Sequence, residues 1–517
     1  MAIYAYQTEE LTNFKMLENQ NKMEEALNKV MQMEKRTYPL LIGGKEVYTE
    51  TTLSSINPST KEVLGQVCQA SITEANRAME LALHIFKSWK NTSPAYRSTM
   101  LLRAAAILKR KRHFFNALMV IEAGKPWIEA DADTAEAIDF LEYYARQILE
   151  CQNVNEKIQS RTNLEVNEYR YIPLGVGIVI SPWNFPLAIL TGMSSAAIVA
   201  GNCVLIKPSS NTQIIAYHLM EVFKEAGIPD GVFAFLPGKG SEIGEFLVNH
   251  PKTRFISFTG SKEVGINIYE KAAKVQPGQI WLKRVIAEMG GKDAIIVDDD
   301  CDLEQASNAI VQSAFGFSGQ KCSACSRAII HKNIYDALIS KIVEKAKLIK
   351  VGNPFSKENN MGPVIDQASF KKINNYIEIG KKEGKLVLGG SGNDQNGFFI
   401  TPTIIVDLDP KSRIMQEEIF GPVLGITKAN SFTDAIKIAN DSEYGLTGAV
   451  FSNNRLYLEF AKSEFHVGNL YINRKCTGAI VGYQPFGGFN LSGTDSKAGG
   501  PEYLILHMQG QSVSEQL

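Results

Sequence analysis

The chain has 517 residues, 44% of them hydrophobic and 21% charged. One compact core stops growing at about 250–300 residues, so at least two domains are expected. The formal net charge of −1 lacks the basic excess that binds nucleic acid or an anionic membrane, which leaves a small molecule as the expected partner.

Residues 8–36 mix Glu, Lys, Asn and Leu with no apolar run long enough for a secretory signal. Leu11, Phe14, Met23, Ala26, Leu27 and Val30 are spaced for a surface helix. Residues 39–42 and 46–48, joined by Gly43-Gly44, predict a hairpin. Helices are expected over 73–90, 94–122 and 128–152. Strand-like runs at 176–180, 203–207, 232–236, 254–258 and 285–288 then alternate with helical patterns at 187–200, 212–226, 242–248 and 262–273. That alternation predicts βαβ units around a parallel sheet, an α/β fold that binds ligands at the carboxyl ends of its strands. The loops at those ends are 181–186, 208–211, 237–241 and 259–261.

Residues 171–206 contain no Asp, Glu, Lys or Arg, a gap longer than the roughly 20 residues of a spanning helix. Pro182, Asn184, Pro186 and Asn202 interrupt it and argue against a membrane span. A second α/β pattern follows, with strands near 294–297, 326–330, 403–405 and 449–451 and helices near 303–317, 334–349, 367–383 and 432–439. The seven cysteines are scattered and form no dense framework, which points to a reducing compartment, the cytoplasm. Cys322 and Cys325 form a lone C-x-x-C without a second ligand pair, so no metal site is expected. There is no H-E-x-x-H and no G-x-S-x-G, which disfavours metal hydrolysis and serine hydrolase chemistry.

Four segments carry potential chemistry. Gly238-Lys-Gly240-Ser241-Glu-Ile-Gly244 is one residue longer than the dinucleotide fingerprint; alone it reads equally as a tight strand–helix turn, and its place in a βαβ array favours the nucleotide reading. Phe258-Thr259-Gly260-Ser261 is a second strand-to-helix turn, where backbone N–H groups and the helix dipole could hold a phosphate. Cys322 follows a glycine-punctuated helix end; it is a nucleophile if its pKa falls and a structural cysteine otherwise. Glu288-Met289-Gly290-Gly291-Lys292 puts a carboxylate at a strand end beside two glycines that allow close approach; a surface salt bridge is the alternative.

Glu288-x-Gly-Gly-Lys followed by Gly319-Gln-x-Cys322 resembles the signature of the aldehyde dehydrogenase superfamily. Pro182-Trp183-Asn184-Phe185-Pro186, Lys207-Pro208-Ser209, the Phe258–Ser261 turn, Glu418-Ile-Phe420-Gly-Pro422 and Pro485-Phe486-Gly-Gly488 match in the same order, from about residue 38 to the C-terminus. The resemblance implies three parts. A Rossmann-type cofactor domain would span 1–144 and 166–287, and an α/β catalytic domain 288–480. A small β element, 145–165 and 481–517, would pair subunits by strand exchange into a homodimer or higher homo-oligomer.

The resemblance also implies roles. Cys322 would attack an aldehyde, the Asn184 amide and the Cys322 N–H would hold the oxyanion, and Glu288 would be the base that hydrolyses the thioester. NAD would lie against Ser181, Pro182, Trp183, Lys207, Ser209, Ser210, Gly240, Ser241, Thr259, Gly260, Ser261, Met289, Gly290, Glu418 and Phe420. Lys207 would bind the adenosine ribose, Ser261 and Gly240-Ser241 would face the pyrophosphate, and Glu418 would hold the nicotinamide ribose. Many NAD-preferring relatives carry Glu where this chain has Ser210, so NADP is not strongly repelled.

Gly124-Lys-Pro-Trp127, residues 136–146, 315–324 and 477–482 further resemble a bacterial branch that oxidises L-glutamate γ-semialdehyde in proline catabolism. In that branch Glu136, Phe185, Ser323, Gly478, Ala479 and Phe486 would hold the substrate. Another small aldehyde, such as a different semialdehyde, is the alternative. A disulfide between Cys322 and Cys325 under oxidation is a further expectation.

Overall fold

The computed structural model describes residues 5–151 and 158–517. The end of the helix expected over 128–152, the middle of the 145–165 segment and the first four residues of the chain therefore fall outside the described residues.

Two seven-stranded sheets frame the molecule. The first has the spatial order Arg284–Glu288, Phe255–Thr259, Val176–Ile180, Cys203–Lys207, Phe233–Phe235, Leu40–Ile42 and Lys45–Val47. Its first five strands are parallel, and the early hairpin adds an antiparallel edge. The inner strands are almost entirely buried, as continuous apolar runs must be when helices cover both faces. Helix Ala188–Val199 is buried at every position but Ile189, and its small residues let it lie close to its neighbours.

The second sheet runs Lys385–Leu388, Thr403–Val406, Val423–Ala429, Cys325–His331, Asp293–Val297, Thr447–Phe451 and Asn469–Ile472. Only its Lys385–Leu388 edge is antiparallel. Beyond the sheets, Glu165–Pro173 and Met508–Gln516 form an antiparallel ribbon in register from Pro173↔Met508 to Glu165↔Gln516.

The two sheets meet by a short crossing. Glu288 ends an edge strand of the first sheet, and Asp293 opens a strand of the second. Cys325 pairs with Asp293 in the neighbouring strand. Glu288 and Cys322 thus lie just before adjacent parallel strands, at the same end of the second sheet.

Several expected elements differ. The 94–122 helix breaks at Lys111 (φ −93°, ψ 11°) into Pro94–Arg110 and Arg112–Glu122. No glycine or proline marks the break; it lets the second piece pack on helix Leu17–Met31 while Arg112 forks onto Asp131 at 2.7 Å. The N-terminal helix covers only Leu17–Met31, because the Glu9 and Thr12 N–H groups go to the Asp139 and Asp131 carboxylates at 2.7 Å, leaving that stretch non-helical. The 303–317 helix stops at Phe315, and Phe317 and Ser318 take left-handed backbone (φ 49° and 58°). The 242–248 helix opens with a wider turn over Gly240–Gly244 before Glu245–Asn249. Within the charge-free 171–206 stretch lie strand Val176–Ile180, helix Ala188–Val199 and strand Cys203–Lys207; no helix among the described residues is long and apolar enough to cross a membrane.

Candidate active site

A cleft of about 410 Å³ opens at the carboxyl ends of the first sheet, and a smaller chamber of about 110 Å³ lies behind it. Cys322 and Thr259 line both. The cysteine therefore forms part of the wall between two compartments, one of a size and character for a dinucleotide end and the other for a small substrate.

The cleft gathers Ser181, Pro182, Trp183, Asn184, Lys207, Ser209, Ser210, Thr259, Gly260, Ser261, Met289, Gly290, Glu418 and Phe420. The chamber gathers Glu136, Phe185, Glu288, Ser323, Gly478, Ala479 and Phe486. Gly240 and Ser241 are not in either lining. Gly240 and Gly244 instead back the aliphatic stem of Lys207, and Ser241 faces a separate shallow hollow beside Ile72, Glu242 and Phe246.

The cleft suits a dinucleotide on its own geometry. Helix Lys262–Ala273 points its N-terminus into it, capped by the Ser261 hydroxyl on Val264 N at 3.4 Å, so N–H groups and dipole favour a phosphate. Gly260 and Gly265 leave no room for a side chain, since an added Cβ would strike Phe258 at 2.6 Å or Met289 Sδ at 2.4 Å. Burial lowers Lys207 to about 8. Trp183 packs edge-on to Phe420 at 5.5 Å.

The Glu288–Lys292 crossing explains its own glycines. A Cβ on Gly290 would lie 2.5 Å from the Glu418 carboxylate, and one on Gly291 would lie 2.5 Å from the Cys322 carbonyl oxygen. Gly291 N–H donates to Glu418 Oε1 at 3.0 Å. Glycine is thus required for Glu418 and Cys322 to close on the same strip of backbone.

The turn that precedes Cys322 is stapled from below. Gln320 is fully buried; its Nε2 donates to the carbonyls of Phe317 and Pro363 at 3.3 and 3.2 Å, and its Oε1 accepts from Ile365 N at 2.9 Å. Ser318 Oγ donates to Gly362 O at 2.8 Å. These bonds hold the left-handed turn that delivers Cys322.

Burial pushes the Cys322 thiol well above the usual range, with Asp293, Glu418 and Glu288 adding to it. Burial likewise raises Glu288 to about 8 against hydrogen bonds from Ser496 and Gly488 that pull it down. Glu136 is raised to about 8, by burial first and Asp133 second. Asn184 is buried, and among the described residues no hydrogen bond takes up its amide, so its donors are free for a ligand.

Cys325 turns away from Cys322 into the core of the second sheet, its thiol on the Arg327 carbonyl at 3.3 Å and beside Cys476. All seven cysteines are free. No disulfide links Cys322 and Cys325, and the Cys325 side chain is buried at the start of strand Cys325–His331.

Sequence reasoning missed Ser369 and Lys372 in the cleft and Phe140, Ile189, Met193, Ala498 and Tyr503 in the chamber. Ile189 and Met193 share one face of a helix at i, i+4 spacing, a weak signal on a helix apolar all round. Lys372 carried none, since it reaches the cleft from helix Gln367–Glu383, far along the chain.

The sequence pattern of the aldehyde dehydrogenase family matches residues 46–513. The chain is 60% identical over 514 residues to a 1-pyrroline-5-carboxylate dehydrogenase of Geobacillus sp. (strain WCH70), covering 99% of each. It superposes on the crystal structure of 1-pyrroline-5-carboxylate dehydrogenase from Thermus with bound NAD, with a TM-score of 0.98 at 47% identity and full coverage of both chains (100%). It also resembles a betaine aldehyde dehydrogenase from Staphylococcus aureus in complex with NAD+, with a TM-score of 0.89 at 30% identity over 96% of this chain and 97% of that one.

Proposed function

The chain belongs to the aldehyde dehydrogenase family, and from that premise we propose that it oxidises L-glutamate γ-semialdehyde, the open form of 1-pyrroline-5-carboxylate, to L-glutamate with NAD as hydride acceptor. The observation that carries this reading is the position of Cys322 in the wall shared by the cleft and the chamber.

The cyclic imine offers no carbonyl to a thiol, so the open aldehyde is the reactive form. Cys322 releases its proton to solvent, and its Sγ attacks the carbonyl carbon from the chamber side. The free Asn184 amide, joined by the Cys322 N–H, donates to the oxyanion as negative charge develops there. A neutral amide does this without quenching the thiolate. NAD, when bound, accepts the hydride that leaves the former carbonyl carbon. Ser181, Pro182, Trp183, Lys207, Ser209, Ser210, Thr259, Gly260, Ser261, Met289, Gly290, Glu418 and Phe420 would hold it. Cys322 then carries a thioester. Glu288 takes a proton from water as the water attacks that thioester, which releases a free acid and regenerates the thiol.

The chamber fits a short amino acid chain. Phe185 and Phe486 pack its aliphatic part, Ser323 and the Gly478-Ala479 backbone offer donors for the α-carboxylate, and Glu136 faces the ammonium group. The ammonium draws the Glu136 proton off, since an adjacent cation favours the carboxylate.

The cofactor part is assigned to 1–144 and 166–287, the catalytic part to 288–480 and the oligomerisation element to 145–165 and 481–517. Homo-oligomerisation through the ribbon of Glu165–Pro173 and Met508–Gln516 is supported by exposed Leu164, Val166 and Leu517 clustered at its end. Seven free cysteines fit the reducing cytoplasm.

The test is a comparison of kcat/KM for glutamate semialdehyde, succinate semialdehyde and simple aliphatic aldehydes, with NAD and NADP, scoring NADH and glutamate together. A preference for an aldehyde lacking the α-amino acid group overturns the substrate.

A further inference from the structure

Gly124-Lys-Pro-Trp127 is a motif that the reaction above leaves without a task. Lys125 has no solvent exposure at all. Its ammonium pairs with Asp133 Oδ2 at 2.6 Å, 3.9 Å from the ring centre of Phe185 and 4.7 Å from that of Phe317. Asp133 is equally buried, and its other oxygen accepts the Ala188 N–H at 2.7 Å.

These contacts reach both halves of the candidate chemistry. Phe185 follows Asn184 directly, and Ala188 opens the helix that the Asn184 loop leads into. Phe317 sits in the left-handed turn that leads to Cys322. Trp183 touches Phe317 edge-on at 6.5 Å, so the loop and the turn are already neighbours. The backbone around Lys125 leans on the same segment as the nucleophile's staple. The Gly124 carbonyl oxygen would lie 2.2 Å from a Cβ on Gly362, whose own carbonyl takes the Ser318 hydroxyl.

A buried ion pair is weak evidence for stability, because well-packed apolar residues usually do as well. A directional role explains it better. An ammonium is attracted to the negative face of an aromatic ring. One cation between two rings draws Phe185 and Phe317 toward a single point, and Asp133 fixes that point by holding the cation and the Ala188 N–H together. We propose that Lys125, with Asp133, is a positioning residue that sets the separation between the Asn184 amide and the Cys322 sulfur by clamping Phe185 and Phe317 around one buried ammonium. The proposal rests on the aldehyde-oxidising reading above.

The test uses the full-length enzyme in excess over glutamate semialdehyde with saturating NAD, reading single-turnover NADH formation. Single-turnover NADH formation by the wild-type enzyme tests the underlying reading: without any NADH that reading fails. Given wild-type NADH formation, Lys125→Met and the isosteric Asp133→Asn are expected to slow its single-turnover rate at least tenfold. KM for NAD should stay within about twofold, and the NADH amplitude, with folding checked by thermal melting, should be retained. If Lys125→Met does not fold, Asp133→Asn decides. Both are then combined with Asn184→Ala. A clamp acting through Asn184 costs little more in that background, so the rate losses are far from multiplicative. A wild-type single-turnover rate in Asp133→Asn, or rate losses that multiply fully with Asn184→Ala, overturns the proposal.

Discussion

The Ser496 hydroxyl donates to Glu288 Oε1 at 2.5 Å. Oε2 of the same carboxylate accepts Gly488 N–H at 3.3 Å. The carboxylate rests in a glycine cradle. A Cβ on Gly487 would lie 2.7 Å from Oε1 and one on Gly493 3.2 Å from Oε2. Lys497 bonds the Gly468 and Gly487 carbonyls and closes the loop around it. Burial makes Glu288 a weak acid, and Ser496 moderates the effect.

Deacylation needs the ionised carboxylate, so turnover is expected to rise with pH through a midpoint near 8. Ser496 bonds to the ionised form and lowers that midpoint. Ser496→Ala should therefore move the rising limb of kcat upward. The loss is largest near pH 7 and fades in alkali, while the NADH burst is unchanged. A kcat profile from pH 6 to 10 with an unmoved midpoint would refute this.

Glu288→Gln should leave hydride transfer largely intact and block turnover. The signature is a single-turnover NADH burst followed by a slow steady state. Burst and steady state falling together would remove Glu288 from the deacylation step. The same variant tests the energetics. The folded pKa of about 8 lies above the unfolded value of about 4.3, so the native state holds the extra proton between them. Wild-type stability is therefore lost through that window as pH rises. Glu288→Gln should gain melting temperature relative to wild type at pH 8–9 and show no gain near pH 4.

Asn184→Ala removes the free amide to which the proposed mechanism assigns the oxyanion. The acylation burst should slow by about 10²–10³-fold, the usual cost of one such donor. NAD binding measured by tryptophan fluorescence should change little. A variant that acylates within a few fold of wild type would assign the oxyanion to other donors.

Ser210 lines the cleft three positions after Lys207 and is exposed to it. Ser210→Glu places a carboxylate near the ribose end of the site. At the edge of a solvated cleft, one such repulsion is worth about 1 kcal/mol or more, so kcat/KM with NADP should drop at least fivefold relative to NAD. An unchanged ratio would put the adenosine ribose elsewhere.

Much of the strand–helix alternation was legible because a buried parallel strand is a short apolar run and its covering helix is not; Val176–Ile180 and Cys203–Lys207 fall where the pattern put them. The breaks were less so. Nothing in Lys111 marks a helix end, and the break there follows from packing and the Arg112–Asp131 pair. Gly240-Ser241 looked like a phosphate loop; the fingerprint's extra residue forms a wide turn over Gly240–Gly244 that backs the Lys207 side chain.

The sequence by itself settled which residues are chemically equipped: a cysteine after a glycine-rich turn, a carboxylate beside two glycines and a helix start at Ser261. Local chemistry is a property of residue type and near neighbours. Only the tertiary structure decided that Cys322 stands between two cavities, that Ser496 tempers Glu288 and that Lys125 lies buried between Phe185 and Phe317. Those partners come from distant segments, and their electrostatic consequences depend on burial, which exists only once the sheets and loops have closed over them.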